Sequence, residues 1–348
     1  MPRQGVGFGG NRTCVFCGDA PANESDEHVI PQWLMKATGS PNRTVSFGLN
    51  PERNELVRFG FKGFTAPACV ACNTAWADLE GQAKRVVTTL RATNTLSRED
   101  TVVLLDWLDK VRVGVWLALR LLHGNPFAVD RPLFGITKRV GSADRMVHVF
   151  RFLSDHPDGI TFMGTALPLF GIMPSAWCLR VGDFAFLNAS APFLFSKRAG
   201  FPFPTACETD EGDRVAYYLE DALGRIERPL LVSCPPYGSA NLYQPVSPAA
   251  DESAYVRETA FAVERGLGPV IHDDGVDTRI LRPGEVLELA PVGGVDLLRA
   301  CLELQNNVAQ TTMPWQAPDY AGSLPEPYAT AVEVNRQLIE RWESSGTG

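Results

Sequence analysis

Apolar residues recur along this chain with two periods, and the periods mark out its elements. From residue 99 to 123, Val103, Trp107, Val111, Val115 and Leu119 fall on one stripe at helical spacing, which predicts an amphipathic helix. A second stripe, Trp76, Leu79, Ala83, Val86 and Leu90, predicts a helix that opens at Asn73 and runs to about residue 90. Residues 146–153, 159–169 and 176–187 read as strands, with Pro and Gly breaks at 199–204 and 235–238, and late helices are expected at 295–309 and 328–343. Near the start, residues 26–31 read as a short strand ended by Pro31, and residues 32–35 begin a short helix. Between 38 and 66, alternating pieces such as Val45-Ser46-Phe47 and Leu56-Val57-Arg58-Phe59 suggest a β-hairpin or a long loop. Arg43, Arg53, Arg58 and Lys62 there could face phosphate, or simply be solvated. The pattern holds no internal repeat and no low-complexity tract. The expected fold class is α+β, with an N-terminal unit at 1–95 and a larger mixed α+β region at 96–348.

Composition adds limits. A chain of 348 residues with 45% hydrophobic and 21% charged residues is an ordinary globular protein, long enough for two cored units. The net charge of -8 is unevenly spread: residues 1–98 hold 11 Lys or Arg against 8 Asp or Glu, and the remainder 21 against 32. The acidic balance therefore belongs to the C-terminal region, and the N-terminal unit is mildly basic, as a phosphate-binding surface can be. The most apolar long window, 102–122, contains Asp106, Asp109, Lys110, Arg112 and Arg120, a charge density that rules out a membrane span. Residues 1–5 lead into Gly and Asn instead of an apolar signal segment, so a reducing, cytoplasmic setting is expected, in which thiolates bind metal and do not pair. The string Gly5-Val6-Gly7-Phe8-Gly9-Gly10 matches the dinucleotide fingerprint, but it lacks the strand before and the helix after that the fingerprint needs, and it reads as a leader.

The chemistry concentrates in the first quarter. Cys14-Val15-Phe16-Cys17 and Cys69-Val70-Ala71-Cys72 are two C-x2-C pairs, each able to turn both sulfurs toward one ion, so together they form a candidate structural zinc site. A redox role would need a βαβ setting, which the pattern does not offer. Cys178, Cys207, Cys234 and Cys301 are scattered singly and read as small buried residues. Between the pairs stands Asp26-Glu27-His28-Val29-Ile30-Pro31. An isolated histidine is most often structural, but His28 lies between two cysteine knuckles and beside two carboxylates, which makes it a candidate proton acceptor. Asn73, directly after the second pair, can cap a helix or aim its amide at the knuckle. In the C-terminal region, His272-Asp273-Asp274-Gly275 lacks the spaced oxygens of a calcium loop and reads as a polar turn between strands. His123 and His148 have no evident partner.

Taken in order, Cys14, Cys17, Glu27, His28, Pro31, Cys69, Cys72 and Asn73 resemble the HNH endonucleases of the ββα-metal type, in the subgroup with a four-cysteine knot. The resemblance covers roughly residues 12 to 92. It implies a purely structural Zn²⁺ on the four cysteines and a second, catalytic Mg²⁺ or Mn²⁺ nearby. It further implies His28 as the general base, with Glu27 and Asn73 as catalytic residues that ligate this second ion, and nucleic acid, DNA first, as the substrate. The chain departs from the family pattern in three ways. The middle asparagine has no clean counterpart, with Asn54 the candidate and Asn50 the runner-up. Ala77 stands where many relatives carry a further histidine, leaving Glu80 as a possible extra ligand. The 51 residues between Cys17 and Cys69 exceed those of compact members. The alternative is a treble-clef zinc module that binds nucleic acid or protein without cutting.

Overall fold

The computed structural model describes residues 13–50, 55–123, 135–153, 158–209, 215–220, 225–231, 237–246, 266–316 and 324–345. The N-terminal part runs β1 (Glu24–His28), α1 (Gln32–Ala37), β2 (Thr44–Asn50), β3 (Glu55–Gly60), a 3-10 turn at Phe61–Gly63, β4 (Thr65–Cys69), α2 (Val70–Ala75), α3 (Ala77–Thr93), β5 (Thr95–Ser97) and α4 (Arg98–His123). There follow α5 (Ile136–Arg139), β6 (Asp144–Arg151), β7 (Ile160–Met163), α6 (Pro168–Ile172), β8 (Ala176–Val181), β9 (Phe184–Ala191), β10 (Phe203–Thr209) and β11 (Val215–Glu220). The chain then forms β12 (Ala240–Gln244), β13 (Ile271–Asp273), β14 (Thr278–Ile280), β15 (Val286–Glu288), α7 (Leu297–Gln316) and α8 (Glu326–Ser345). The class is mixed α+β, as the pattern implied.

The centre of the molecule is a seven-stranded antiparallel sheet in the order β14-β13-β12-β6-β9-β8-β7. Alternation along its strands serves two faces. Val147 and Val149 of β6, Trp177 and Leu179 of β8 and Phe186 of β9 join one hydrophobic cluster with α3, α4 and the N-terminal elements. Met146 and Phe150, Cys178, and Ala185 and Leu187 turn the other way, into a second cluster with α7 and α8. A sheet covered on both faces accounts for the near-continuous apolar runs in β6, β8 and β9. Residue 95 lies in β5, and the first cluster contains side chains from both sides of it.

Two segments read as single strands divide: 176–187 is β8 and the start of β9 joined by a turn at residues 182–183, and 159–169 is β7 followed by the chain's entry into α6. Two helices also differ from the periodicity reading. The helix expected from Asn73 is two helices that meet at Trp76, and Asn73 lies inside α2, because β4 runs straight into the turn that carries Cys69 and Cys72. The second helix, α3, stops at Asn94, a left-handed residue (φ 57°) whose N–H reaches the Leu90 carbonyl. The other element, α4, has no polar face over most of its length: every residue from 107 to 120 is buried. Its charged side chains are paired inside. Arg112 donates to Asp109 at 2.5 Å, to the Pro174 carbonyl at 2.9 Å and to Asn188 Oδ1 at 2.6 Å, while Arg145 of β6 pairs with Asp106. Burial of this kind is tolerated because Asp106, Asp109, Arg112 and Arg145 meet hydrogen-bonding or oppositely charged partners, while Arg120 lies over the Trp116 ring at 4.5 Å. Among the described residues, no helix is long and apolar enough to cross a membrane.

Candidate metal centre and the side chains around it

The cysteine cluster is assembled by a strand pairing. β1 and β4 run antiparallel with Glu24 opposite Cys69 and His28 opposite Thr65, so the end of β4 and the start of α2 carry Cys69 and Cys72 back to the first knuckle. That knuckle is a tight turn in which Gly18 N–H donates to the Cys14 carbonyl at 2.9 Å, and Gly18 takes φ 85°, a conformation glycine adopts without a Cβ penalty. Val15 N–H donates to the Pro67 carbonyl at 2.9 Å, fastening the turn to β4. From the other side, Ile136 and Thr137 of α5 donate to the Val15 and Phe16 carbonyls at 3.0 and 3.2 Å. A Cβ at Gly135 would lie 2.6 Å from the Phe16 carbonyl oxygen, so only glycine lets the chain approach this closely.

The sulfur atoms of Cys14, Cys17, Cys69 and Cys72 all lie within 4.8 Å of one another, and Cys17 and Cys69 are 4.0 Å apart. A tetrahedral zinc with Zn–S bonds of about 2.3 Å requires sulfurs about 3.8 Å apart, so the cluster fits such an ion with little adjustment. The thiol chemistry agrees. Burial raises the Cys17 pKa to about 12, with the neighbouring Cys14 adding to the rise, and burial raises that of Cys72 as well. At Cys14 burial acts in the same sense but is outweighed by backbone N–H groups, among them that of Cys69 at 3.3 Å from its sulfur, and the net shift is downward. Four crowded sulfurs cannot all ionise without a cation between them, and a metal ion such as zinc would supply that charge.

The expected catalytic residues flank this knot. His28, at the end of β1, is half-buried, with Gln32 Nε2 3.2 Å from its Nε2. Burial lowers its pKa from the ordinary 6.5, against the opposing pull of Asp26 and the Lys62 backbone, so the ring is neutral at pH 7. Asn73 Nδ2 donates to Ser25 Oγ at 3.4 Å, which joins α2 to β1. Glu27 faces inward, as strand alternation against His28 requires, and is 7% exposed. Its carboxylate accepts from Lys110 Nζ of α4 at 2.6 Å, and the same ammonium donates to Glu80 of α3 at 2.5 Å. The second oxygen of Glu80 accepts from Trp33 Nε1 at 3.0 Å. One ammonium thus serves two carboxylates. Burial pulls the Lys110 pKa down, but Glu80 and Glu27 together raise it overall, whereas Glu27, despite its partner, is held above its ordinary value because burial outweighs the Lys110 attraction and Glu80 repels it.

These contacts bear on the expected second ion. Mg²⁺ and Mn²⁺ need oxygen ligands free to approach to about 2.0–2.1 Å in an octahedral shell. Glu27 in this arrangement is closed by an ammonium, so the side chains as they stand do not fit that ion. Ala77, the first residue of α3, offers no ligand atom. Residue 54 lies outside the described residues, as does the side chain of Asn50 at the end of β2. Of the basic residues near the hairpin, Arg43 is committed to the Met35 and Ser40 carbonyls and to Thr38 Oγ1 at 3.1, 2.9 and 2.9 Å, while Arg58 and Lys62 are exposed.

Sequence reasoning passed over Lys110, which it took only as a charge excluding a membrane span. No local signal marks its partner, which is 83 residues away. The remaining candidates are structural. His148 Nε2 lies 2.7 Å from Tyr243 Oη, and burial keeps Cys178 and Cys301 protonated, Cys301 at about 12. His272 and Asp273 end β13 at the turn into β14. Residue 234 and the side chains of Cys207 and His123 lie outside the described residues. No family model matches the chain, and no match was found among curated proteins or solved structures.

Proposed function

We propose that the cysteine-knotted N-terminal unit is an HNH-type endonuclease that hydrolyses phosphodiester bonds in nucleic acid, with DNA as the expected substrate. The observation that carries this reading is the succession β1, β4, α2 laced by four cysteines, with Glu27-His28 closing the first strand and Asn73 of the helix bonded back to that strand. It supports a ββα-metal arrangement with Zn²⁺ as the structural ion. In this reading His28 is the general base: a neutral, half-exposed imidazole accepts the proton of a water whose oxygen bonds to phosphorus as the bond to the leaving sugar oxygen breaks. A reducing cytoplasm, where the four thiols remain available to metal, suits it.

The second reading is a zinc module that binds nucleic acid or protein without cutting, and the Lys110–Glu27 pair favours it, since that pair occupies the carboxylate a catalytic ion needs. Incubating the zinc-loaded full chain with supercoiled plasmid, and separately with single-stranded RNA, under Mg²⁺ or Mn²⁺ separates the two. Nicking, by the wild type or by Lys110→Met, that is lost on adding His28→Ala supports the nuclease, whereas binding without nicking by either under every metal supports the module.

A further inference from the structure

We propose that Lys110 is the resident cation of the expected ion site, an ammonium built into α4 that stands between Glu27 and Glu80 and keeps a divalent ion out. The proposal rests on the reading of Glu27 as an ion ligand, and concerns how that site is regulated.

The geometry commits an oxygen of each carboxylate to Lys110. Lys110 Nζ lies 2.6 Å from Glu27 Oε1 and 2.5 Å from Glu80 Oε1, in the space a bridging ion would use. Its side chain is 3% exposed, against 9% for Glu27 and 18% for Glu80. The neighbours hold it there. The Phe16 ring, inside the first cysteine knuckle, lies 5.8 Å from the ammonium, and Trp33, which donates to Glu80, packs on Trp107 of α4 at 5.7 Å. To enter, an ion would have to strip both carboxylates from Lys110 and leave an ammonium buried without a partner, the costliest state available to a charged group. The two carboxylates and one ammonium sum to a single negative charge, so removing the ammonium leaves an enclosed carboxylate pair with strong demand for a cation. Lys110 belongs to α4 and both glutamates to the elements around the knot, so the lock opens when the ammonium is drawn off the two carboxylates, by a swing of its side chain or a shift of α4 against β1 and α3.

Mn²⁺ binding to the zinc-loaded full chain, followed by the electron paramagnetic resonance signal of free Mn²⁺, provides a readout that does not depend on cleavage. Glu27→Gln in the wild-type background is expected to leave Mn²⁺ affinity within about twofold, since Glu27 is not free to bind it. Lys110→Met is expected to gain a Mn²⁺ site at least about tenfold tighter than any in the wild type, and Lys110→Met with Glu27→Gln to lose it again. Wild-type Mn²⁺ binding that depends on Glu27, or a folded Lys110→Met protein that binds Mn²⁺ no better than wild type, overturns the proposal. Where Lys110→Met does not fold even with Mn²⁺ present, the Glu27→Gln comparison alone decides. Failure of the nuclease reading has a different signature, namely no plasmid cleavage by any variant, and leaves the Mn²⁺ comparison unaffected.

Discussion

Removing the two sides of the Lys110 cluster should have unequal consequences for stability, and the inequality follows from counting charge. Lys110, Glu27 and Glu80 together carry one net negative charge in a nearly closed space. Lys110→Met raises this to two like charges with no cation, the situation in which breaking a buried ion pair costs about 3–5 kcal/mol. Glu27→Gln instead leaves Lys110 paired one-to-one with Glu80, and the amide oxygen can still accept, so the loss should be about 1 kcal/mol. The pH dependence carries a sign of its own. Glu27 is held above its ordinary 4.5 in the folded protein, so the fold retains a proton that the unfolded chain releases as pH rises from 4.5, and its contribution to stability falls as pH climbs through the raised value. Without Lys110 that value rises further. The Lys110→Met penalty should therefore be largest at neutral pH and shrink as pH is lowered toward the ordinary carboxylate range. Urea titration read by tryptophan fluorescence is suited to this, because Trp33 and Trp107 pack together at a tilt beside the cluster. A Glu27→Gln protein as unstable as Lys110→Met, or a penalty independent of pH, would refute the charge count.

Two further outcomes concern the knot and the histidine. Cys69→Ser should abolish metal retention and unfold the N-terminal elements, since a structural zinc contributes on the order of 10 kcal/mol, comparable to the whole stability of a typical fold; zinc content and thermal unfolding check this, and an unchanged profile would contradict a structural ion. The rate of plasmid cleavage should stay level as pH falls from 7 until it passes below the ordinary imidazole value of 6.5, because burial lowers the His28 pKa, and then drop by about tenfold per pH unit. A rate that falls already above pH 7 would point to a different group.

Local pattern reached much of the fold because apolar spacing reports which face of an element is covered. The stripe Val103, Trp107, Val111, Val115 and Leu119 found α4 to within a residue of its start, and the apolar runs found β6 and located β8 and β9 while reading that hairpin as a single strand. The same reasoning could not find that α4 is covered on all sides, because Lys110 and Arg112 look like solvated charges until partners 30 to 83 residues away are brought to them. The cysteine cluster was legible for the opposite reason, as each C-x2-C turn is a local device whose chemistry is stated by its residue types. Glu27 was legible as a functional candidate but not as an ion-paired one. Its motif lies in β1, whereas what occupies it comes from α4, and no spacing rule connects the two.

The most direct measurement is the cleavage rate of supercoiled plasmid by the full-length chain with and without His28→Ala, in both the wild-type and the Lys110→Met backgrounds, with imidazole then added to the His28→Ala variant. His28→Ala should lose about 10²–10⁴-fold in rate in whichever background cleaves, the contribution of a positioned base, and imidazole should restore part of it. Cleavage by His28→Ala at the wild-type rate would contradict the account, because no other side chain in it is assigned that proton.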